Sequence, residues 1–273
     1  MMIPQISKKI RKTPEKWLTK MGRNISGFMI YTGRISILFA ETIKWMFVPP
    51  LVKKRHFFSQ MEKIGVDSLP IVFMTAFFTG MVLALQGAYQ MQKIDARAFV
   101  ANLVSLSMLR ELGPVLTAIV VAGRVGASIT AELGTMRVTE QIDALETMAT
   151  NPIKHLIVPR FAAIMIMLPL LTVYSDLIGI LGGYIVGVFK LGIGSRMYIN
   201  MTFTPLVLKD FFTGIMKSIC FAALIGIISC YQGFATEGGA EGVGRATTFS
   251  VVLSFIMIIA ADCLFTALFF FAF

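Results

Sequence analysis

Residues 68–92 form a run of 25 positions without a charged side chain. Wound as a helix at about 1.5 Å per residue, it reaches across the ~30 Å hydrocarbon core of a bilayer. Backbone polar groups at that depth must be satisfied within the segment, so such a run reads as a spanning helix. Four more apolar runs follow, at residues 99–131, 156–189, 211–236 and 248–273. Only 15% of the residues are charged and 56% are hydrophobic, against roughly 25% charged in a soluble domain. That leaves too little polar surface for a soluble enzyme of this size. The expected fold is an all-α integral membrane protein: an N-terminal interfacial helix plus five transmembrane helices, with a further cytoplasmic helix between spans 2 and 3.

The net charge of +10 is confined to one end. Residues 1–63 hold 13 Lys/Arg against 3 Asp/Glu, and residues 64–273 hold 12 of each. The chain therefore divides into a basic N-terminal part, 1–63, and a neutral five-span part, 64–273. A basic flank ahead of the first span is an orientation signal that stays with the cytoplasm and anionic headgroups, not a nucleic-acid surface. The N-terminus is expected inside and, after five crossings, the C-terminus outside. No short apolar segment with a cleavage site follows the basic stretch, so no cleavable signal is expected. On a helical wheel Lys20, Arg23, Arg34, Glu41 and Lys44 fall on one arc, with Phe28, Tyr31, Ile35, Leu38, Phe39 and Phe47 mostly elsewhere, so residues 25–48 suit a helix lying in the membrane plane. Pro49-Pro50 ends it.

Two lines of small residues stand at spacings of four: Gly179, Gly183 and Gly187 on the third span, and Ala118, Ala122, Gly126, Thr130 and Gly134 on the second. Such lines allow close helix approach, either within one subunit or along a dimer seam. Cys220, Cys230 and Cys263 lie in apolar stretches and read as small core residues.

Enzyme signatures are missing. There is no GxxxxGK[ST] phosphate loop, no HExxH, no Cys/His metal cluster and no G-x-S-x-G. No catalytic residue, no metal site and no cofactor on this chain are expected. What remains is charge within spans: Arg110, Glu111, Arg124, Asp176, Lys217 and Asp262. Such residues face a cavity or a partner. Counting from the span ends puts Glu111, Lys217 and Asp262 at about 18, 9 and 16 Å from the outer surface. With Arg110 they form either a salt-bridge lattice or the polar lining of a ligand site, where Lys217 or Arg110 would meet an anionic headgroup. Neighbouring residues point about 100° apart, so Arg110 and Glu111 are not expected to face one cavity squarely. Between spans 2 and 3, Val138, Ile142, Leu145 and Ala149 follow helical spacing, with Glu140, Asp143 and Glu146 on another side. This amphipathic helix, residues 135–149, is either a solvated loop helix or one that docks on a partner.

Four motifs follow one another: Arg110-Glu-Leu-Gly-Pro114, Ala122-Gly-Arg-Val-Gly126, Thr130-Ala-Glu-Leu-Gly134 and Met136-Arg-Val-Thr-Glu-Gln141. With Gly80-Met-Val-Leu-Ala-Leu-Gln-Gly87 before them and Gly244-Arg-Ala-Thr-Thr248 after, the chain from about residue 60 onward closely resembles the MlaE/YrbE permeases of lipid-transporting ABC systems. The resemblance implies a homodimeric permease of the bacterial inner membrane, N-terminus cytoplasmic and C-terminus periplasmic. It further implies separate ATPase subunits that bind ATP and Mg, a periplasmic MCE-domain protein, often a STAS-domain protein, and glycerophospholipid as cargo in the upkeep of outer-membrane asymmetry. Residues 135–149 fall at the family's coupling helix, and Glu111, Lys217 and Asp262 at its charged lipid cavity. Two other functions remain open from the residues alone: a proton-coupled transporter using Glu111 and Asp262, and a non-transporting membrane scaffold.

Overall fold

The computed structural model describes residues 26–27, 29–48, 54–92 and 99–272, and the regular structure among them is helical throughout. The expectations for the basic tail, including Lys20 and Arg23 on the helical wheel, and for Phe28 fall outside the described residues. Helix α1, residues 29–47, turns Ile35, Leu38, Phe39 and Met46 onto the core and leaves Ile30, Ile37 and Phe47 exposed. The Phe39 ring meets Phe161 edge-on at 5.9 Å, and Tyr31 meets Tyr231 at 5.2 Å. Gln232 donates a hydrogen bond to the Tyr31 hydroxyl. Burial pushes the Tyr31 phenol up to about 12, so it keeps its proton at neutral pH. An amphipathic helix seated this way, with an apolar outer face, suits the membrane interface.

Among the described residues, five helices are long and apolar enough to cross a membrane: Arg55–Met91, Val100–Val138, Ile153–Lys190, Leu208–Phe234 and Gly239–Phe269. The protein is a multi-pass membrane protein. The first joins α2 (Lys54–Ile64) to α3 (Leu69–Gln92) through a tight turn at Val66–Ser68. The second strings together α4 (Val100–Ser107), a π-helical turn at Met108–Leu112, α5 (Gly113–Val121), a second π-helical turn at Ala122–Gly126, and α6 (Ala127–Val138). Its 39 residues measure about 58 Å at 1.5 Å each, nearly twice the bilayer core, so it projects well beyond the membrane. The expected end at residue 131 was seven residues short. The third contains α8 (Val158–Ile185) between π-helical turns at Ile153–Ile157 and Val186–Lys190. A short helix α9 (Ser195–Phe203) precedes α10 (Leu208–Phe234) and α11 (Gly239–Ala272).

Helix α8 is the hub. It packs on α2, α3, α5 and α10, with Ile164 and Leu168 fully buried beside Phe221, Ala222 and Ala118. A Cβ at Gly80 of α3 would fall 1.8 Å from the Gly179 carbonyl oxygen, and one at Gly182 would fall 2.3 Å from that of Phe77. Only bare backbones fit at that distance. On the same helix, Gly179 makes room for Met108, Gly183 for Val104 and Gly187 for Tyr198. The small-residue line of span 2 is filled likewise, Gly126 by Ser229 and Gly134 by Thr236. Both lines therefore pack within one chain.

Two local expectations need correction. The amphipathic helix does not run unbroken through residues 135–149. Helix α6 carries the chain to Val138, Glu140 adopts a left-handed conformation (φ 59°), and α7 spans Gln141–Thr147. A non-glycine residue in that region breaks the helix. The fifth helix also starts nine residues before the expected 248. The reversal is made by Gly238 (φ 88°) and Gly239 (φ 70°), where only glycine is unstrained, and α11 begins at Gly239.

Candidate functional site

Lys217 lies nine residues into α10 and is 1% exposed. An ammonium buried in an apolar bundle must be surrounded by acceptors. Its Nζ donates to Glu111 Oε2 at 2.6 Å, to Thr266 Oγ1 at 2.8 Å and to the Arg110 carbonyl at 3.1 Å. Asp262 Oδ1 lies 2.9 Å away, at ion-pair distance but outside hydrogen-bond angles. Thr266 donates in turn to Glu111 Oε1 at 3.0 Å. Three spans thus meet on one nitrogen.

Local geometry explains the convergence. Asp262 and Thr266 are four apart on α11, so they share a face. Gly214, one turn before Lys217, lets α10 approach the second span: a Cβ there would fall 2.5 Å from the Leu109 carbonyl. The π-helical turn at Met108–Leu112 presents both the Arg110 carbonyl and the Glu111 carboxylate to Lys217. Because α10 starts at Leu208 rather than 211, Lys217 is about 14 Å from the helix start, closer to the levels of Glu111 and Asp262.

A cavity of about 430 Å³ opens beside this cluster. Arg110, Glu111, Asp210, Thr213, Lys217 and Thr266 contribute to its lining. Arg110 and Glu111 both line it, contrary to the expectation from a regular helix. The π-helical turn and the reach of two long side chains bring them to one wall, Glu111 toward Lys217 and Arg110 toward Asp210. Arg110 Nε sits 2.7 Å from Asp210 Oδ1, with 52% of its side chain exposed. Asp210 also receives the Val207 amide at the start of α10 through Oδ2, at 3.4 Å. Its place was missed because the span was drawn from residue 211; Thr266 was missed although its spacing of four from Asp262 signals a shared face.

The other singled-out charges lie elsewhere. Asp176 is buried on α8 against Gly113, and its Oδ1 has no hydrogen-bond partner. Arg124 is not isolated within its span. It meets Lys63, Asp67 and Ser68 at the α2–α3 junction.

On the predicted amphipathic helix, Val138 belongs to α6 and Glu140 is the left-handed residue before α7. Ile142 is buried in the chain's own core, and Leu145 packs partly against it. Asp143, Glu146 and Met148 face outward, and Asp143 pairs with Arg137. What α7 presents outward is therefore Asp143, Glu146 and Met148, with Ile142 turned inward. Ile142→Asp is expected to unseat α7 and lower stability by about 3 kcal/mol, read as a drop in thermal midpoint.

Comparison with known proteins places these features in a lineage. Residues 57–268 match the family Permease MlaE. A "probable ABC transporter permease protein" of Rickettsia prowazekii is 46% identical over 250 residues, covering 92% of this chain and 96% of that one. A protein of the same description from Synechocystis is 42% identical over 211 residues, 77% of this chain and 80% of its own. One from Porphyra purpurea is 38% identical over 238 residues, 87% and 86% respectively.

Proposed function

The chain belongs to the MlaE permease family, and on that premise we propose that it is the membrane-spanning subunit of an ATP-driven transporter of glycerophospholipid. The observation that carries this reading is the cavity beside Lys217. It joins polar walls to an apolar bundle, as the two ends of a phospholipid require. Its volume admits a headgroup rather than a whole lipid, whose tails would lie along exposed apolar helix faces. Lys217 is enclosed by its own partners, so the half-exposed Arg110 is the cation that meets the headgroup phosphate. Lys217, Glu111 and Asp262 hold that wall in shape, and their charges set the field that the headgroup meets.

ATP and Mg bind on a separate ATPase subunit, and the outward face of α7 is its contact. The chain works as a homodimer in a bacterial inner membrane, N-terminus cytoplasmic and C-terminus periplasmic. An MCE-domain protein receives or delivers lipid on the periplasmic side, and a STAS-domain protein attends the ATPase. Together they maintain outer-membrane lipid asymmetry.

The test is reconstitution of the purified complex in vesicles with labelled phospholipid. ATP-dependent lipid movement is the expected result. A native complex with no ATPase, or lipid movement indifferent to ATP, overturns the reading. Glu146→Lys, on the outward face of α7, is expected to leave the thermal midpoint unchanged while lowering lipid-stimulated ATP hydrolysis severalfold. Unaltered hydrolysis would remove α7 as the ATPase contact.

A further inference from the structure

Arg124 is a cation that the Lys217 cluster does not use. It lies in the second π-helical turn of span 2, fourteen residues from Arg110. At about 1.5 Å per residue the two are roughly 21 Å apart along the helix, a large part of the bilayer core. Arg124 is therefore toward the end of the bundle that carries α1, α2 and α7.

Its guanidinium is held in place. Nη1 donates to Ser68 Oγ at 2.8 Å and to the Lys63 carbonyl at 3.2 Å, and Nη2 lies 3.3 Å from the half-exposed Asp67 carboxylate. In front of it is a cavity of about 320 Å³ between α2 and α6. Gln60, Lys63, Asp67, Arg124, Ser128 and Glu132 supply polar groups, over an apolar floor of Ile64, Val125 and Ile129. Glu132 is committed to Arg160, 3.0 Å away, and Arg160 is only 5% exposed. The local charge is then three cations (Lys63, Arg124, Arg160) against two carboxylates (Asp67, Glu132). The exposed ammonium of Lys63 has no carboxylate partner among the described residues.

We propose that this cavity is a second phosphate site, which takes the headgroup phosphodiester of a phospholipid from the leaflet at the α1 end of the bundle. A phosphodiester carries one negative charge, which matches the surplus. A guanidinium already fixed by Ser68 and the Lys63 carbonyl loses little freedom on binding, and Lys63 adds a mobile point charge. The apolar floor accommodates the glycerol end of the lipid. Helix α1 supports the level: an interfacial helix seated at this end marks where headgroups lie. The inference rests on lipid as the cargo and adds a second station, across the membrane from the Lys217 cavity.

The experiment uses the full complex in nanodiscs containing radiolabelled phospholipid. A photo-crosslinking side chain is placed at Ser128, on the wall of this cavity, or at Thr213, on the wall of the Lys217 cavity. Phospholipid crosslinking at Ser128 is expected. It should fall about tenfold with Lys63→Glu, the scale of one lost charge-assisted hydrogen bond, while crosslinking at Thr213 is unchanged. Lys63 is exposed, so the variant should fold, and Lys63→Gln gives an intermediate point. Excess inorganic phosphate should not compete; competition would identify a free phosphate ligand and overturn the lipid assignment. Crosslinking at Thr213 without crosslinking at Ser128 overturns this inference and leaves the transport reading standing. No phospholipid at either position overturns both.

Discussion

Lys217→Met is expected to abolish lipid movement, by about a hundredfold, in a complex that still inserts and assembles. The side chain keeps its length and apolar stem but loses the charge. Glu111 and Asp262 then face each other without the cation that separates them, and the Arg110 carbonyl loses a donor. Breaking a buried ion pair by removing one partner costs about 3–5 kcal/mol, so a lowered thermal midpoint should accompany the loss. The decisive variant is the neutral triple, Lys217→Met with Glu111→Gln and Asp262→Asn. Replacing every charge of a buried cluster is often neutral for stability. The triple should recover its midpoint and remain inactive in transport. If it also recovers transport, the cluster only holds helices together and the lipid-cavity assignment fails. Arg110→Gln separates the roles further: its side chain is half exposed, so binding should suffer while the midpoint barely moves.

Gly113→Ala is the second large effect, at least a tenfold loss of transport with about 1–3 kcal/mol of overpacking. A Cβ at Gly113 would fall 1.7 Å from Asp176 Oδ1 and 2.8 Å from the Met108 carbonyl oxygen. The carboxyl and the methyl cannot share that space. Either the Asp176 side chain or the π-helical turn must shift, and that turn carries Arg110 and Glu111 into the cavity wall. Asp176→Ala alone should cost little, since Oδ1 forms no hydrogen bond that would be lost. The double variant Gly113→Ala/Asp176→Ala should recover activity, with a coupling of about 0.5–3 kcal/mol between the positions. Strictly additive losses would mean that the carboxyl moves aside freely and does not hold the turn.

The five spans were legible because a long apolar run has one stable solution in a bilayer. The meeting of Glu111, Lys217 and Asp262 was foreshadowed by counting residues from the span ends, which put all three in one half of the membrane. Hydropathy smooths over other features. It drew residues 99–131 as one span and counted Arg124 among its intramembrane charges. Its true neighbours come from the α2–α3 junction, sixty residues away in sequence. Helical spacing identified Ile142 and Leu145 as one apolar face. It could not reveal that the face turns onto the chain's own core, or that Glu140 adopts a left-handed backbone. Arg110 and Glu111 were separated on paper by an ideal wheel, and the π-helical turn does not obey that wheel.

A π-helical turn contains one more residue than the α-turn it replaces. Removing Leu112 from the Met108–Leu112 turn would leave a plain α-helix of nearly the same length. Both flanks would keep their packing, and only the residues within the turn would change place. Arg110 would stand where Glu111 stands now, a cation set against Lys217. The surplus residue thus decides which side chains of the turn meet the cavity, while both flanks stay in place. A gap in this segment of a relative's sequence would be a change of charge at the cavity, although no charged residue had been replaced.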